Sequence, residues 1–313
     1  MSKRKTAVNI LKLSIVLVIV YFIVKTVTSE WQGVSSFEWQ IQPALLIMSG
    51  IAFTAAYALL ALIWRNVLAL FGHHISYREA WAIYFVGNLG RYIPGKVWTI
   101  AGVAYMADRS GIPAVTAGTA AVCAQAYSIL SSFVFFVLFF ILRNPIVSDF
   151  NVLWILPVPV ILMLVFLVPR NLERILNSVL SIMGRDAIHL GFGTATAVYI
   201  TFLYFCSWIV FGGAFWLFVS SIAGAGLFDP LVMTGAYAVA YVTGYLALLV
   251  PGGLGVREGI LSILLTGTVP VGVASVVAIS TRLMVTIIEL LCVGAVLTFK
   301  GVVYGKEKKE AGN

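Results

Sequence analysis

The stretch Asn88-Leu89-Gly90-Arg91-Tyr92-Ile93-Pro94-Gly95-Lys96-Val97-Trp98 sets a Pro-Gly pair and two fixed positive charges inside apolar sequence. Leu249-Val250-Pro251-Gly252-Gly253-Leu254-Gly255-Val256-Arg257-Glu258-Gly259 does the same in the second half of the chain. Pro and Gly interrupt helices, and charge is costly to bury in lipid. The two stretches therefore read as broken helices forming two halves of one polar site at depth in a membrane. A single shift of 157 positions carries Tyr84, Gly87, Leu89, Pro94 and Gly95 onto Tyr241, Gly244, Leu246, Pro251 and Gly252. Weak internal symmetry with matched Gly/Pro breaks is the sequence trace of a duplicated transporter-type fold.

The composition agrees. The chain is 61% hydrophobic and 10% charged, far from the balance of a soluble domain. Its net charge of +8 is then an orienting Lys/Arg excess and excludes nothing about lipid while arguing against a nucleic-acid partner. Cys123, Cys206 and Cys292 stand singly in apolar runs, without disulfide or metal spacing. No metal and no cofactor is expected.

Taken in order, residues 1–28 predict a first transmembrane helix, following the basic Lys3-Arg4-Lys5. Residues 29–42, with Trp31 and Trp39, predict an interfacial loop. Residues 43–168 form a first repeat half, 193–299 a second, and 300–313 a basic tail, all in one membrane domain. Within each half, three spans accompany one helical hairpin, at 80–106 and at 230–265. The segment between the halves, 169–190, predicts an amphipathic surface helix. The expected fold is an all-α polytopic membrane protein of about six transmembrane helices plus two re-entrant hairpins in an inverted repeat. This topology places fourteen Lys/Arg side chains on one face and only Lys25 and Arg143 on the other, so both termini are expected in the cytoplasm of a multi-pass cell-membrane protein.

Gly90 to Lys96 matches the first seven positions of a phosphate-binding P-loop. Val97 stands where the metal-binding Ser/Thr belongs, and no strand–loop–helix context surrounds it. The intramembrane charges carry more weight. Arg91, Lys96 and Arg257 are the expected substrate ligands, with Glu258 orienting Arg257 or carrying a coupling proton. Pro94, Gly95, Pro251, Gly252, Gly253 and Gly255 shape the broken backbone, and Arg282 and Glu289 are supporting charges. A helix starts after each break, so its positive dipole end would face the site and favour phosphate or carboxylate. The bland alternative is structural pairing, Arg257 with Glu258 and Arg282 with Glu289.

Arg91-Tyr-Ile-Pro-Gly95-Lys96 and Pro251-Gly-Gly-Leu-Gly-Val-Arg-Glu-Gly259 resemble the two signature stretches of the lysylphosphatidylglycerol synthase/flippase transmembrane-region family. The resemblance covers nearly the whole chain, and its second motif is the more specific. It implies a module that moves an aminoacylated lipid between leaflets, next to a cytosolic synthase domain in multidomain relatives. This sequence ends at Asn313 without such a domain, so the lipid-moving part alone is expected. Some archaeal relatives are linked to dolichol-phosphate glycan steps, which leaves the head group open.

The expected function is thus flippase-like transport of an anionic or phosphate-bearing lipid head group, aminoacylated or polyprenyl-phosphate types included, downhill or ion-coupled rather than ATP-driven. A membrane lipid is the expected partner, with a homo-oligomer and a separate lipid-modifying enzyme as further partners. The alternative is an integral-membrane transferase or accessory protein acting on a polyprenyl-phosphate-linked or phospholipid substrate. A transferase needs an acid or base beside the donor, and Glu258, Asp108 and Glu79 are the candidates.

Overall fold

A computed structural model describes residues 28–29, 31–93, 97–142, 157–182, 184, 187–224, 226, 228–247 and 250–296. The expected first helix up to residue 27, the Pro94-Gly95-Lys96 break and the basic tail lie outside the described residues.

Among the described residues the chain is all-helical, with eleven α-helices: α1 Trp31–Ser35, α2 Pro43–Ala69, α3 Tyr77–Asn88, α4 Val97–Asp108, α5 Ala114–Leu142, α6 Pro157–Phe166, α7 Pro169–Ile182, α8 Thr194–Ala223, α9 Pro230–Leu246, α10 Val256–Leu265 and α11 Val271–Val296. Short 3-10 turns follow α3 at Leu89–Tyr92 and α9 at Pro251–Gly253. Local chemistry sets several boundaries. Ser76 caps α3 by accepting from the Glu79 backbone N–H, while Glu79 accepts from the Ser76 N–H. Asp229 caps α9 by accepting from the Leu231 and Val232 N–H groups, and Pro230 fills the first helical position, where a missing N–H costs nothing.

Four helices, α2, α5, α8 and α11, are long and apolar enough to cross a membrane. α6 is apolar but has only ten residues within the described part. The spanning helices leave large apolar side chains on their outer faces. Leu283, Ile287 and Leu291 are all more than half exposed, and their i, i+4, i+8 spacing lines them along one side of α11. An aqueous surface does not tolerate such a stripe, but lipid does.

The shift of 157 residues carries α2 onto α8, α3 into α9, α4 onto α10 and α5 onto α11, each within a few residues. The packing repeats as well: α3 lies against α4, α9 against α10, α4 against α5 and α10 against α11. The halves join where α2 packs along α8 and α9 along α5, and the two 3-10 turns touch each other.

Lipid tails are as apolar as leucine, so helices in a membrane associate through close backbone approach and polar contacts. Both are present. A Cβ on Gly102 would lie 2.3 Å from the Gly87 carbonyl oxygen, and one on Gly212 would lie 2.0 Å from Thr234 Oγ1. Ser49 donates across α2–α8 to the Ala214 carbonyl at 2.9 Å, and Trp208 Nε1 donates across α8–α5 to the Ser128 carbonyl at 3.0 Å. The predicted surface segment forms α7, tied to the following loop by Glu173, which accepts from the Leu190 N–H at 2.8 Å.

Candidate functional site

The second break is built by glycine. Gly252, Gly253 and Gly255 have φ of 57°, 68° and 79°, a region that side chains with a Cβ avoid. These conformations let the chain turn at Pro251–Gly253, pass close to Gly244 of α9 and start α10 at Val256. At Gly253 space is short too, since an added Cβ would lie 2.6 Å from the Gly244 carbonyl oxygen.

This crossing brings the charged residues of both halves together. Arg91, on the first 3-10 turn, reaches Glu289 of α11, with Nη1 2.5 Å from Oε1. Glu289 also accepts from Tyr57 Oη on Oε1 and Tyr92 Oη on Oε2, each at 2.6 Å. Glu258 Oε2 accepts from the Gly255 N–H, and Oε1 lies 3.7 Å from Arg282 Nε. Arg282 Nη2 in turn donates to the Gly252 carbonyl at 3.3 Å.

Arg257 is the exception. It is 8% exposed, and among the described residues it forms no ion pair. Its guanidinium lies over two rings, 4.6 Å from the centroid of Tyr237 and 5.3 Å from that of Tyr241. Ring faces attract a cation, by roughly 0.5 to 2 kcal/mol each, but they do not neutralise it. Among the described residues, three guanidiniums and two carboxylates thus leave one net positive charge at the junction of the turns.

The geometry changes part of the sequence reading. The pairing that the structural alternative named, Arg257 with Glu258 and Arg282 with Glu289, is exchanged: Glu258 faces Arg282, and Glu289 binds Arg91. The reason is the left-handed turn, which starts α10 with Glu258 folded back onto its own first N–H. That fold also takes one of the backbone donors expected to face an anion. Arg91, Arg257, Glu258, Arg282 and Glu289 do converge, together with Gly252, Gly253 and Gly255; Pro251 opens the turn. Lys96, Pro94 and Gly95 lie outside the described residues.

Three adjoining cavity compartments, all lined by Tyr84 and Tyr241, open around this cluster. The largest, about 270 Å³, lies among α2, α3, α4, α5 and α9 and includes Trp64, Asn88, Thr99, Gln125 and Tyr245. A second of about 40 Å³ meets Arg91 and Arg257, and a third of about 70 Å³ meets Arg91, Arg257 and Arg282. Neither Glu258 nor Glu289 lines any of the three. The shift of 157 positions carries Tyr84 onto Tyr241 and Asn88 onto Tyr245, so positions matched by that shift share the walls of this space.

The tyrosines escaped the sequence reading as site residues, although a signal existed. Tyr237, Tyr241 and Tyr245 recur at i, i+4, i+8 on α9, a single helical face, and Tyr84 is the repeat partner of Tyr241.

Long apolar helices around a buried cationic cavity define a helical membrane protein with an internal polar site. The chain belongs to the family described as the lysylphosphatidylglycerol synthase TM region, whose model matches residues 9–296. No curated protein matches the chain.

Proposed function

We propose that this protein is a flippase-like transporter that binds the phosphate-bearing or otherwise anionic head group of a membrane lipid in the cavity and carries it across the bilayer. In this reading the α3–α4 and α9–α10 units are re-entrant hairpins, and the two halves are inverted relative to each other. Three spans per half produce that inversion. Broken backbone at membrane depth is tolerated where protein or a wet cavity surrounds it. The charge asymmetry of the sequence supports a cell-membrane protein with both termini in the cytoplasm.

One observation carries the proposal: the arginines face the cavity, while both carboxylates of the cluster stand off its walls. A purely structural network would bury its charges against one another. Among the described residues Arg257 has no ion-pair partner where it lines the cavity, and a buried charge needs one. A lipid phosphate supplies it, bound through the planar fork of the guanidinium.

The transferase alternative draws less support. Glu79 is engaged in the α3 cap, Glu258 in the Gly255 N–H and Arg282, and Asp108, at the end of α4, lines none of the three compartments.

The test is head-group translocation in proteoliposomes carrying a fluorescent anionic phospholipid, at matched protein incorporation. The wild type is expected to equilibrate the lipid between leaflets. Arg257→Lys, which keeps the charge but loses the stacked fork, is expected to be at least tenfold slower. Equal rates for the two proteins would remove Arg257 from the transport path.

A further inference from the structure

The walls of the cavity narrow the head group beyond its phosphate, an inference that rests on the anion-site reading above. The charge they present is of one sign. Arg91, Arg257 and Arg282 line the two smaller compartments, and among the described residues no carboxylate does. Glu289 already accepts from Tyr57, Arg91 and Tyr92. Glu258 Oε1 accepts no hydrogen bond, yet it faces Arg282 and not the cavity.

The largest compartment has no charged side chain among its described lining residues. Asn88, Thr99, Gln125 and Ser128 and a set of tyrosines supply its polar groups. Trp64 Nε1 and Gln125 Nε2 are buried nitrogens without a hydrogen-bond partner, and both residues line this compartment. Unmet donors are costly in a protein interior, and each is satisfied by an acceptor oxygen. An ammonium has only donors. Placed here it would face the neighbouring guanidiniums with no carboxylate among the described lining residues to offset them.

We infer that the cavity takes a phosphate ester whose remainder is uncharged and oxygen-bearing, a glycerol or a sugar, and that it rejects head groups carrying an ammonium, aminoacyl esters included. The arginine compartments hold the phosphate, and the larger compartment holds the hydroxylated remainder. Gln125 on α5 is a specificity residue in this scheme, because an isosteric carboxylate at its position would supply the counter-charge that an ammonium lacks.

The experiment reconstitutes the full chain with one of three reporter lipids at equal mole fraction: phosphatidylglycerol, a polyprenyl-phosphate hexose, or lysylphosphatidylglycerol. Translocation is followed in liposomes, and retention of the same lipids is measured by native mass spectrometry. At least one of the two uncharged-remainder lipids is expected to move and to be retained at least tenfold better than the lysyl ester. Which of the two it is identifies the source of the phosphate. Gln125→Glu is expected to narrow that ratio by improving the lysyl ester, and Thr99→Asp on α4 offers the same reading if the first variant does not fold. Equal or better handling of the lysyl ester by the wild type overturns the selectivity and leaves anionic-lipid transport standing. An unchanged ratio in both carboxylate variants overturns the role given to the larger compartment. Retention with the expected preference but no movement sinks the transport reading while the selectivity survives.

Discussion

Arg91 and Glu289 meet at 2.5 Å across 198 positions of sequence, and they tie the turn of the first hairpin to the final helix. The carboxylate is the hub of that tie, because Tyr57 and Tyr92 donate to it as well. Breaking a buried ion pair from one side leaves an uncompensated charge, at a cost of about 3–5 kcal/mol. Glu289→Gln keeps the shape and removes the charge. It is expected to lower the thermal unfolding midpoint in detergent markedly, whereas Tyr92→Phe, which removes one hydrogen bond of three, is expected to cost about 1–2 kcal/mol. Unchanged stability in Glu289→Gln would mean that Arg91 finds its counter-charge elsewhere.

Gly253 tests the second turn. Its φ of 68° and the 2.6 Å approach of a would-be Cβ to the Gly244 carbonyl oxygen leave no space for alanine. Gly253→Ala is expected to destabilise by about 1–3 kcal/mol through strain and overpacking. Because the turn sets the positions of Arg257 and Arg282, transport should fall by more than the loss of folded protein explains. Gly259, with nothing within 4 Å of its Cβ position, is the control, and Gly259→Ala should be neutral or mildly stabilising.

The proposed inversion of the two hairpins makes a topological prediction. Arg78 lies near the start of α3, and Thr268 just after α10, at the open ends of the two units. Single cysteines at these positions are expected to react with a membrane-impermeant maleimide from opposite sides of a sealed vesicle. Labelling of both from the same side would exclude the inversion.

The clasp of α7 to the loop that follows it is set to respond to acid. The Leu190 N–H, and then His189, hold the Glu173 carboxyl below its ordinary titration range. A group with a depressed folded pKa stabilises above its unfolded value and loses that contribution as pH falls through the folded one. Hydrogen exchange at the Leu190 amide should therefore be slow near neutrality and gain protection loss below about pH 4. In Glu173→Ala it should be fast relative to wild type near neutrality, with the difference closing as acid releases the wild-type clasp, after correction for intrinsic exchange. A wild-type-like protection factor in that variant would show that the clasp does not hold the loop.

Much of the architecture was legible in the sequence because lipid is a simple solvent. Length and apolarity mark α2, α5, α8 and α11, and Pro-Gly marks the second break between α9 and α10. The matching order of helices was readable from Tyr84 and Tyr241, because one gapless shift carries α3 into α9, α4 onto α10 and α5 onto α11. The partners of the charges were not readable. Nothing in Val256-Arg257-Glu258 shows that Glu258 turns back onto the Gly255 N–H, which frees Arg257 to lie over Tyr237 and Tyr241. That outcome follows from three left-handed glycines, whose φ values are a property of the folded turn. Nor could the sequence show that the arginines face the cavity while the carboxylates do not, since that depends on the packing of α11 behind the turns.

The central claim is that the Arg257 guanidinium holds a lipid phosphate, and a distance measures it most directly. Protein with carbon-13-labelled arginine guanidinium is reconstituted with the lipid it retains, and carbon–phosphorus dipolar recoupling is recorded by solid-state NMR. The Arg257 signal is assigned by its disappearance in Arg257→Lys. A guanidinium bonded to phosphate oxygens at about 2.7–2.9 Å places Cζ about 4 Å from phosphorus, and strong dephasing of the Arg257 signal is the expected result. Retained lipid with no dephasing at Arg257 would contradict the account and leave the residue as a stacked, structural cation.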